Sequence, residues 1–406
     1  MGASGDAATL GGDKHGGITA KGSMAMLRVA IIGGGIGGLS TAVALRATGA
    51  HVDVFEQARQ LGEVGAGVGL QPNGQRVLAR LGLGLEVNRI GSRLKGFRIC
   101  TPNGSVMSEQ TYPAGVNQLA VHRADMVEVL TAALPSGAVH TGHRCVRFGQ
   151  HDEFAEVGFD NGASVRADVV IAADGIHSVL QRYVVDPTVP VFSGSVAYRG
   201  LIPASRLPGW PEYLVIWAGS GKHLLAFPVR GGALINFVGF LPADEQMRES
   251  WSAAGDPATL VAEFGDWSPQ ARRLVAGVDS TFMWGLYDRE PLTRWTQGRL
   301  CLLGDAAHPM LPHMGQGANQ AIEDAMALAT LLRFASAADV PEALMRYEAM
   351  RRDRTGQIQL LSRANGVGLD SGSSVGFMHE WVRNYDVEAD ALAVAATCAT
   401  AVDADR

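Results

Sequence analysis

Leu27-Arg28-Val29-Ala30-Ile31-Ile32-Gly33-Gly34-Gly35-Ile36-Gly37-Gly38 is the stretch on which the reading of this chain turns. Its first half is short, apolar and rich in β-branched residues, continuous enough for a strand buried in a parallel sheet. Glycines at 33, 35 and 38 follow at once, and an Ala/Val/Leu run predicts a helix over Leu39–Thr48, with Gly49 at its C-terminal end. Val52-Asp53-Val54-Phe55 is a second strand, closed by Glu56. Strand, glycine turn, helix, strand and acid occur in the order of a complete βαβ unit. Gly33 permits the tight turn, Gly35 lets a pyrophosphate reach the backbone, and Gly38 lets helix pack on strand. The helix N-terminus presents unpaired N–H groups and a positive dipole to phosphates. Glu56 presents a carboxylate to ribose hydroxyls, which disfavours a 2′-phosphate there. The unit is a dinucleotide site, and by itself it leaves FAD and NAD both open.

Composition narrows the class. The chain has 406 residues, 47% hydrophobic and 18% charged, enough apolar material for a large core and too little charge for a disordered protein. Glycine is the outlier, 51 of 406 residues, with no collagen period or low-complexity run, so it marks tight turns and close backbone approaches. Lys+Arg 34 against Asp+Glu 40 gives a net charge of −6, and no basic stripe points to nucleic acid or an anionic membrane. Cys100, Cys145, Cys301 and Cys398 lie far apart without a CxxC or a Cys/His cluster, so they read as reduced structural thiols and no metal site is expected. No apolar stretch approaches the ~20 residues needed to span a bilayer. A cytoplasmic protein follows. Residues 1–25 are rich in Gly, Ala, Ser and Asp with no apolar core, and read as an appended tag or flexible extension, Met24 or Met26 being the alternative start.

Two further segments decide between the cofactors. Val169-Val170-Ile171-Ala172-Ala173-Asp174-Gly175 is a strand entering a turn, followed by Ile176-His177-Ser178. Arg299-Leu300-Cys301-Leu302-Leu303-Gly304-Asp305 is another buried strand ending in an acid. It continues through Ala306-Ala307-His308-Pro309 and Pro312-His313-Met314-Gly315-Gln316-Gly317-Ala318-Asn319 into a helix over Gln320–Leu332. A Gly-Asp at a strand end beside a glycine-rich helix start can bind a ribityl chain and a ring carbonyl. With these three spaced motifs the chain resembles the class A flavin-dependent aromatic hydroxylases of the p-hydroxybenzoate hydroxylase fold, from about Leu27 to Gly366. Gly65-Ala66-Gly67-Val68, Pro72-Asn73, Tyr198-Arg199-Gly200 and Tyr287-Asp288-Arg289 resemble the salicylate, 3-hydroxybenzoate and 6-hydroxynicotinate hydroxylases.

The resemblance implies an α/β fold: a discontinuous Rossmann-like FAD-binding domain (26–95, 118–185 and 290–366), an inserted and mostly antiparallel substrate-binding domain (96–117 and 186–289), and a C-terminal helical segment (367–406). It implies that Gly33, Gly35, Gly38 and Glu56 hold the adenosine half of FAD, and that Arg123 contacts FAD near ribityl and pyrophosphate. Asp305 would bond the ribityl chain, Gly317 and Ala318 would present N–H groups to the isoalloxazine, and Asp174 would serve FAD and NAD(P)H. Read without it, Arg123 is equally an ordinary helix-start arginine and Asp305 a helix cap. One departure stands out. Where the family has Asp-Gly-x-x-Ser-x-x-Arg, this chain has Gln181, with the arginine displaced to Arg182.

The substrate domain is legible in its own right. Val196–Arg199, Tyr213–Trp217, His223–Phe227 and Ala233–Val238 are short strand runs separated by Gly219-Ser220-Gly221 and Gly231-Gly232, a meander pattern. Alternation places His223, Leu225 and Phe227 on one face. By resemblance to the 6-hydroxynicotinate type, His223 keeps a pocket histidine, Phe227 replaces a tyrosine, His313 keeps a second histidine and Gly69 stands where another is lost. The substrate pocket is then Phe227, Leu225 and Tyr198, less polar than in that type. Arg199 or Arg230 is the candidate clamp for a carboxylate. The catalytic candidates are His313, His223 and Pro312: His313 as a base titrating near neutrality, Pro312 in the loop over the flavin ring.

The activity implied is an FAD-dependent monooxygenase that uses NADH or NADPH and O2 to hydroxylate an electron-rich aromatic, phenol- or indole-type, through a flavin C4a-hydroperoxide. The protein would act as a monomer or homodimer on a small aromatic substrate. A reductase, desaturase or oxidative cyclase of the same fold is the alternative. A flavin halogenase lacks its Trp-rich motif here, a flavin sensor would oxidise no NAD(P)H, and a plain NAD dehydrogenase has no need of Gly304-Asp305.

Overall fold

Strand Arg28–Ile32 lies inside a six-stranded sheet, flanked by Val169–Ala172 on one side and His51–Phe55 on the other. Both pairings are parallel, Val29 opposite Val169 and Val52, so side chains from distant parts of the chain enter one core. Leu300–Leu302 pairs with the outer edge of Val169–Ala172, and Val139–His140 with His51–Phe55. Ile31, Val54, Val170 and Leu302 are fully buried, as expected where helices cover both faces. The sheet is completed only by residues 274 positions apart, Arg28 and Leu302 (302 − 28). The computed structural model describes residues 26–62, 66–113, 118–186, 189–243, 253–373, 376 and 379–404; residues 1–25 and Gly65 lie outside them.

The βαβ unit forms with its helix one turn earlier than the apolar run implied, over Ile36–Ala47, and the glycine turn is extremely tight. Gly33 has φ +113, and a Cβ on it would stand 2.2 Å from the Ala173 carbonyl oxygen; one on Gly38 would stand 2.0 Å from the Gly33 oxygen. No L side chain fits either position.

The second layer is an eight-stranded sheet. Its order is Ala253–Gly255, Thr281–Asp288, Val191–Pro203, Leu234–Pro242, Lys222–Val229, Tyr213–Gly219, Gly96–Cys100 and Val106–Thr111. All pairs are antiparallel except Tyr213–Gly219 with Gly96–Cys100. The segment before residue 117 thus shares a sheet with the 186–289 segment. One face packs on helices Pro257–Phe264 and Pro269–Ala276 through Trp217, Leu224, Phe237 and Phe264. Tyr198 belongs to that face, 4% exposed, and this corrects its assignment to the substrate pocket. Its neighbour Arg199 takes the opposite face, since successive strand residues cannot share one.

The C-terminal region departs from the boundary expected at Gly366. One helix runs unbroken over Val340–Ser371 and ends at Gly372 in the left-handed conformation (φ 69). Proline enters it only near its start and its internal glycines at 356, 366 and 368 pack without breaking it, so nothing in the backbone stops it earlier. Val387–Ala404 forms the last helix, and its first turns pack against Gly317–Leu332. Among the described residues no helix is long and apolar enough to cross a membrane.

Gly38→Ala should lower folding stability by about 1–3 kcal/mol through the overpacked turn. Chemical denaturation measures this; an unchanged midpoint would contradict the close approach of Gly38 to Gly33.

Candidate functional site

Two helix N-termini open onto one groove between the sheets. Helix Ile36–Ala47 begins after Gly35 and helix Gly317–Leu332 after Gln316, and neither has a side chain capping its first turn. Their leading N–H groups are therefore available to a ligand. Glu56 stands at the first, its Oε2 accepting from the Gly34 N–H at 2.7 Å and its Oε1 from the Ala58 N–H at 2.8 Å. Gly33, Gly35, Glu56, Arg123 and Asp174 line a cleft together. Asp174 is half-buried; its Oδ2 accepts from the Val179 N–H while its Oδ1 is buried without a partner, and desolvation raises its pKa.

The second end of the groove is built by the loop after Leu300–Leu302. Asp305 is exposed between buried Gly304 and Ala306, and Gly317 would place a Cβ 3.9 Å from Asp305 Oδ1. Asp305, Pro312, His313, Gly317 and Ala318 border one cavity of about 290 Å³. The cradle fits a flavin dinucleotide: glycine backbone without Cβ atoms, two uncapped helix starts, and carboxylates 56, 174 and 305 along its length.

The loop is held from behind. Fully buried Asp324 accepts from the Gly304 N–H at 3.1 Å, from His308 Nε2 at 2.6 Å and from Arg351 Nε at 2.8 Å. Arg351 also donates to Glu323 at 2.6 Å, and Glu323 accepts from Asn73 at 2.6 Å, so Pro72-Asn73 is tied into the same cluster. Neighbouring charges hold Asp324 down at about 2 against its burial. Gln181, at the position where the family has arginine, is buried and donates to the Ala306 carbonyl at 3.1 Å. Arg182 instead is exposed, its guanidinium over the Tyr183 ring. Arg289 donates to the Ile176 carbonyl at 2.9 Å, so Tyr287-Asp288-Arg289 braces the Asp174-Gly175 loop.

Toward the eight-stranded sheet the cavity is walled by His223, Leu225 and Phe227 on one strand, with Phe240, Val238 and Arg199 beside them. Its far end is apolar, made by Leu94, Phe97, Leu214, Ile216 and Leu369, with the Tyr112 phenol at the margin. Arg199 has lost much of its hydration; burial and then Arg123 lower its pKa to about 10, and its guanidinium lies 5.1 Å from the Trp284 ring centre. Arg230 is not at the cavity: Asp125 grips it at 2.5 and 2.8 Å. Of the two clamp candidates only Arg199 reaches the site.

The histidines meet there. His223 stacks on Phe240 at 4.1 Å, and His313 lies 5.2 Å from His223, ring centre to ring centre. His313 does not titrate near neutrality as its residue type implied: burial first, then His223 and Arg199, push its pKa down to about 3. It is a neutral hydrogen-bonding group. Sequence reasoning missed Asp370, whose Oδ1 lies 2.7 Å from His223 Nδ1. It also missed Asp324 and Arg351, which carry no local motif.

Beyond Asp305 the groove widens into an open region of about 750 Å³ bordered by His177, Phe282, Trp284 and Tyr287. The free cysteines Cys100, Cys145 and Cys301 are all buried, and Cys145 borders the cleft of Glu56 and Asp174.

The FAD binding domain family matches residues 26–360 of the chain. A 3-amino-4-hydroxybenzoate 2-monooxygenase of Streptomyces cremeus is 39% identical over 83% of this chain and 86% of its own length. A salicylate hydroxylase of Pseudomonas putida is 34% identical over 90% of this chain and 94% of its own. The solved structure of a salicylate hydroxylase substrate complex superposes with a TM-score of 0.79 at 30% identity, covering 92% of this chain and 98% of that one.

A neutral buried His313 has a consequence for stability. The unfolded chain binds a proton at His313 below 6.5 and the folded chain does not until about 3. Stability from this group is therefore full above 6.5 and falls as pH drops toward 3, by about 1.4 kcal/mol per unit at most. Thermal unfolding of wild type and His313→Gln should show their difference shrinking through that window; parallel pH curves would refute it.

Proposed function

The chain belongs to the FAD binding domain family of flavin-dependent aromatic monooxygenases, and on that premise we propose that it hydroxylates a neutral, electron-rich phenol- or indole-type ring using NADH or NADPH and O2. The observation that carries the substrate class is the cavity beside Asp305, Gly317 and Ala318, whose outer half is apolar and whose histidines are neutral. A carboxylate entering it would find Arg199 alone as a cation besides Arg123 of the cofactor groove, among the described lining residues.

The residues divide the work along the groove. Glu56 would take the adenosine ribose, the Gly33–Gly38 turn and its helix start the pyrophosphate, Asp305 the ribityl chain, and the Gly317 and Ala318 N–H groups a ring carbonyl. When bound, FAD supplies the transfer of reducing equivalents from NAD(P)H and the activation of O2. Pro312 starts a tight turn, Pro312–Met314, that closes the cavity between the cofactor end and His223. Leu225, Phe227, Val238 and Phe240 exclude water around the ring to be hydroxylated. His223 and His313 meet its hydroxyl or ring N–H, His313 as a neutral partner. The wider groove along His177, Trp284 and Tyr287, which adjoins the substrate cavity at Asp305 and Pro312, would give the nicotinamide cofactor an approach to that loop.

A panel of phenols, indoles and hydroxybenzoates scored for stimulated NAD(P)H oxidation, with product mass under isotopically labelled O2, tests this. The expected result is one labelled oxygen in the product and a preference for rings without a carboxylate. Stimulated oxidation with no label in any product would place the chain among the reductases or desaturases of this fold. Asp305→Ala should weaken FAD retention about tenfold or more, corresponding to a lost hydrogen bond to a charged group of about 1.5–3 kcal/mol.

A further inference from the structure

His223 is the one histidine of the cavity with a carboxylate partner. Its ring is 1% exposed, and its Nδ1 stands 2.7 Å from Asp370 Oδ1, whose side chain is 34% exposed. A carboxylate only accepts, so Nδ1 carries the proton and Nε2 carries a lone pair. The His223 ring borders the cavity, and its Nε2 is buried and has no partner. The dyad thus spans from the substrate cavity at one end to the protein surface at the other. We propose that His223 and Asp370 form a proton relay that accepts the substrate's hydroxyl proton and delivers it to solvent, with Asp370 as the positioning and exit residue.

The fold holds the pair rigidly. Asp370 lies in the last turn of helix Val340–Ser371, and its own carbonyl accepts from the Gly221 N–H at 2.9 Å. Gly219-Ser220-Gly221 is the hairpin turn that leads directly into the His223 strand, so the helix end and the histidine are fastened to one another twice. Phe240 stacks on the other side of the ring and fixes its plane.

The step is a proton transfer and balances without an oxidant. The substrate O–H bond breaks, its electron pair stays on oxygen, and its proton joins Nε2. The Nδ1 proton crosses to Asp370 Oδ1 and leaves for water. The path runs in reverse when the hydroxylated product is reprotonated. An orienting carboxylate also makes the imidazole a better acceptor than its burial alone would allow. The charged and titratable groups around His223 are Asp370 on the long helix, His313 on the Pro312–Met314 turn, and Arg199 on the Val191–Pro203 strand, which acts through His313. Lys222 turns to the other face and pairs with Glu263 at 2.7 Å.

The proposal rests on the phenol-hydroxylase reading, and its test separates the two. The holoenzyme is titrated with 4-nitrophenol, whose phenolate absorbs visibly, across pH, for wild type, Asp370→Asn and Asp370→Glu. Hydroxylation of the panel's best phenol is followed in parallel. Asp370→Asn should raise the apparent ionisation pH of bound 4-nitrophenol by about one unit. It should lower kcat about tenfold near neutrality and move the acidic limb of the kcat profile, while Asp370→Glu restores most of both. The bound flavin spectrum reports folding independently, and a half-exposed helix-end residue leaves no buried charge when replaced. Wild-type ionisation and profile in Asp370→Asn, with phenol hydroxylation intact, overturn the relay alone. Failure of every phenol to ionise or be hydroxylated in wild type overturns the reading and the relay together.

Discussion

One fully buried carboxylate organises this molecule. Asp324 receives the Gly304 N–H, His308 and Arg351 at once, and so fastens the strand-end loop that carries Asp305 to the long helix Val340–Ser371. A buried ion cluster of this kind adds little net stability over an apolar replacement, yet losing one member strands the others, at about 3–5 kcal/mol. Its value here is geometric. The helix whose middle is anchored by Arg351 carries Gly366 and Asp370 nearer its C-terminus, the first packed on His313 and the second bonded to His223. The cofactor loop and the substrate histidines are therefore positioned by one rigid element.

Gly366 shows how close that positioning is. A Cβ there would stand 2.6 Å from the His313 ring, so the helix surface itself is the back wall of the imidazole. His313 is surrounded by Phe240, His223 and this backbone, which explains why it stays neutral. The cavity thereby presents two hydrogen-bonding groups without a formal charge, beside walls of leucine, isoleucine and phenylalanine.

The parts of the site that follow from local spacing were legible in the sequence. Glycines 33, 35 and 38 with Glu56 lie within one βαβ unit, and strand alternation alone puts His223, Leu225 and Phe227 on one face. The same alternation already barred Tyr198 from the pocket if Arg199 was to face it. Asp370 was not legible: it is 147 residues from its histidine, and only the unbroken helix brings it there. Nor does residue type report burial, which is why His313 read as a near-neutral base. Gln181 shows a different limit, because a departure from a family motif says what is lost, and only the structure shows the brace to Ala306 that replaces it.

The central sheet also constrains how the chain is made. Strand Arg28–Ile32 is synthesised early and takes Val169–Ala172 as its neighbour, which in turn waits for Leu300–Leu302. Between the second and third of these strands six of the eight strands of the inserted sheet must emerge and fold. Such non-local pairing slows folding and leaves apolar strand edges uncovered during synthesis. A nascent chain that stops short of residue 300 would hold the glycine turn and Glu56 without the Asp305 loop and the Gly317 helix start that make up the other end of the cradle. The complete cradle thus exists only once the chain has passed residue 318, which makes cofactor capture a late event in the life of each molecule.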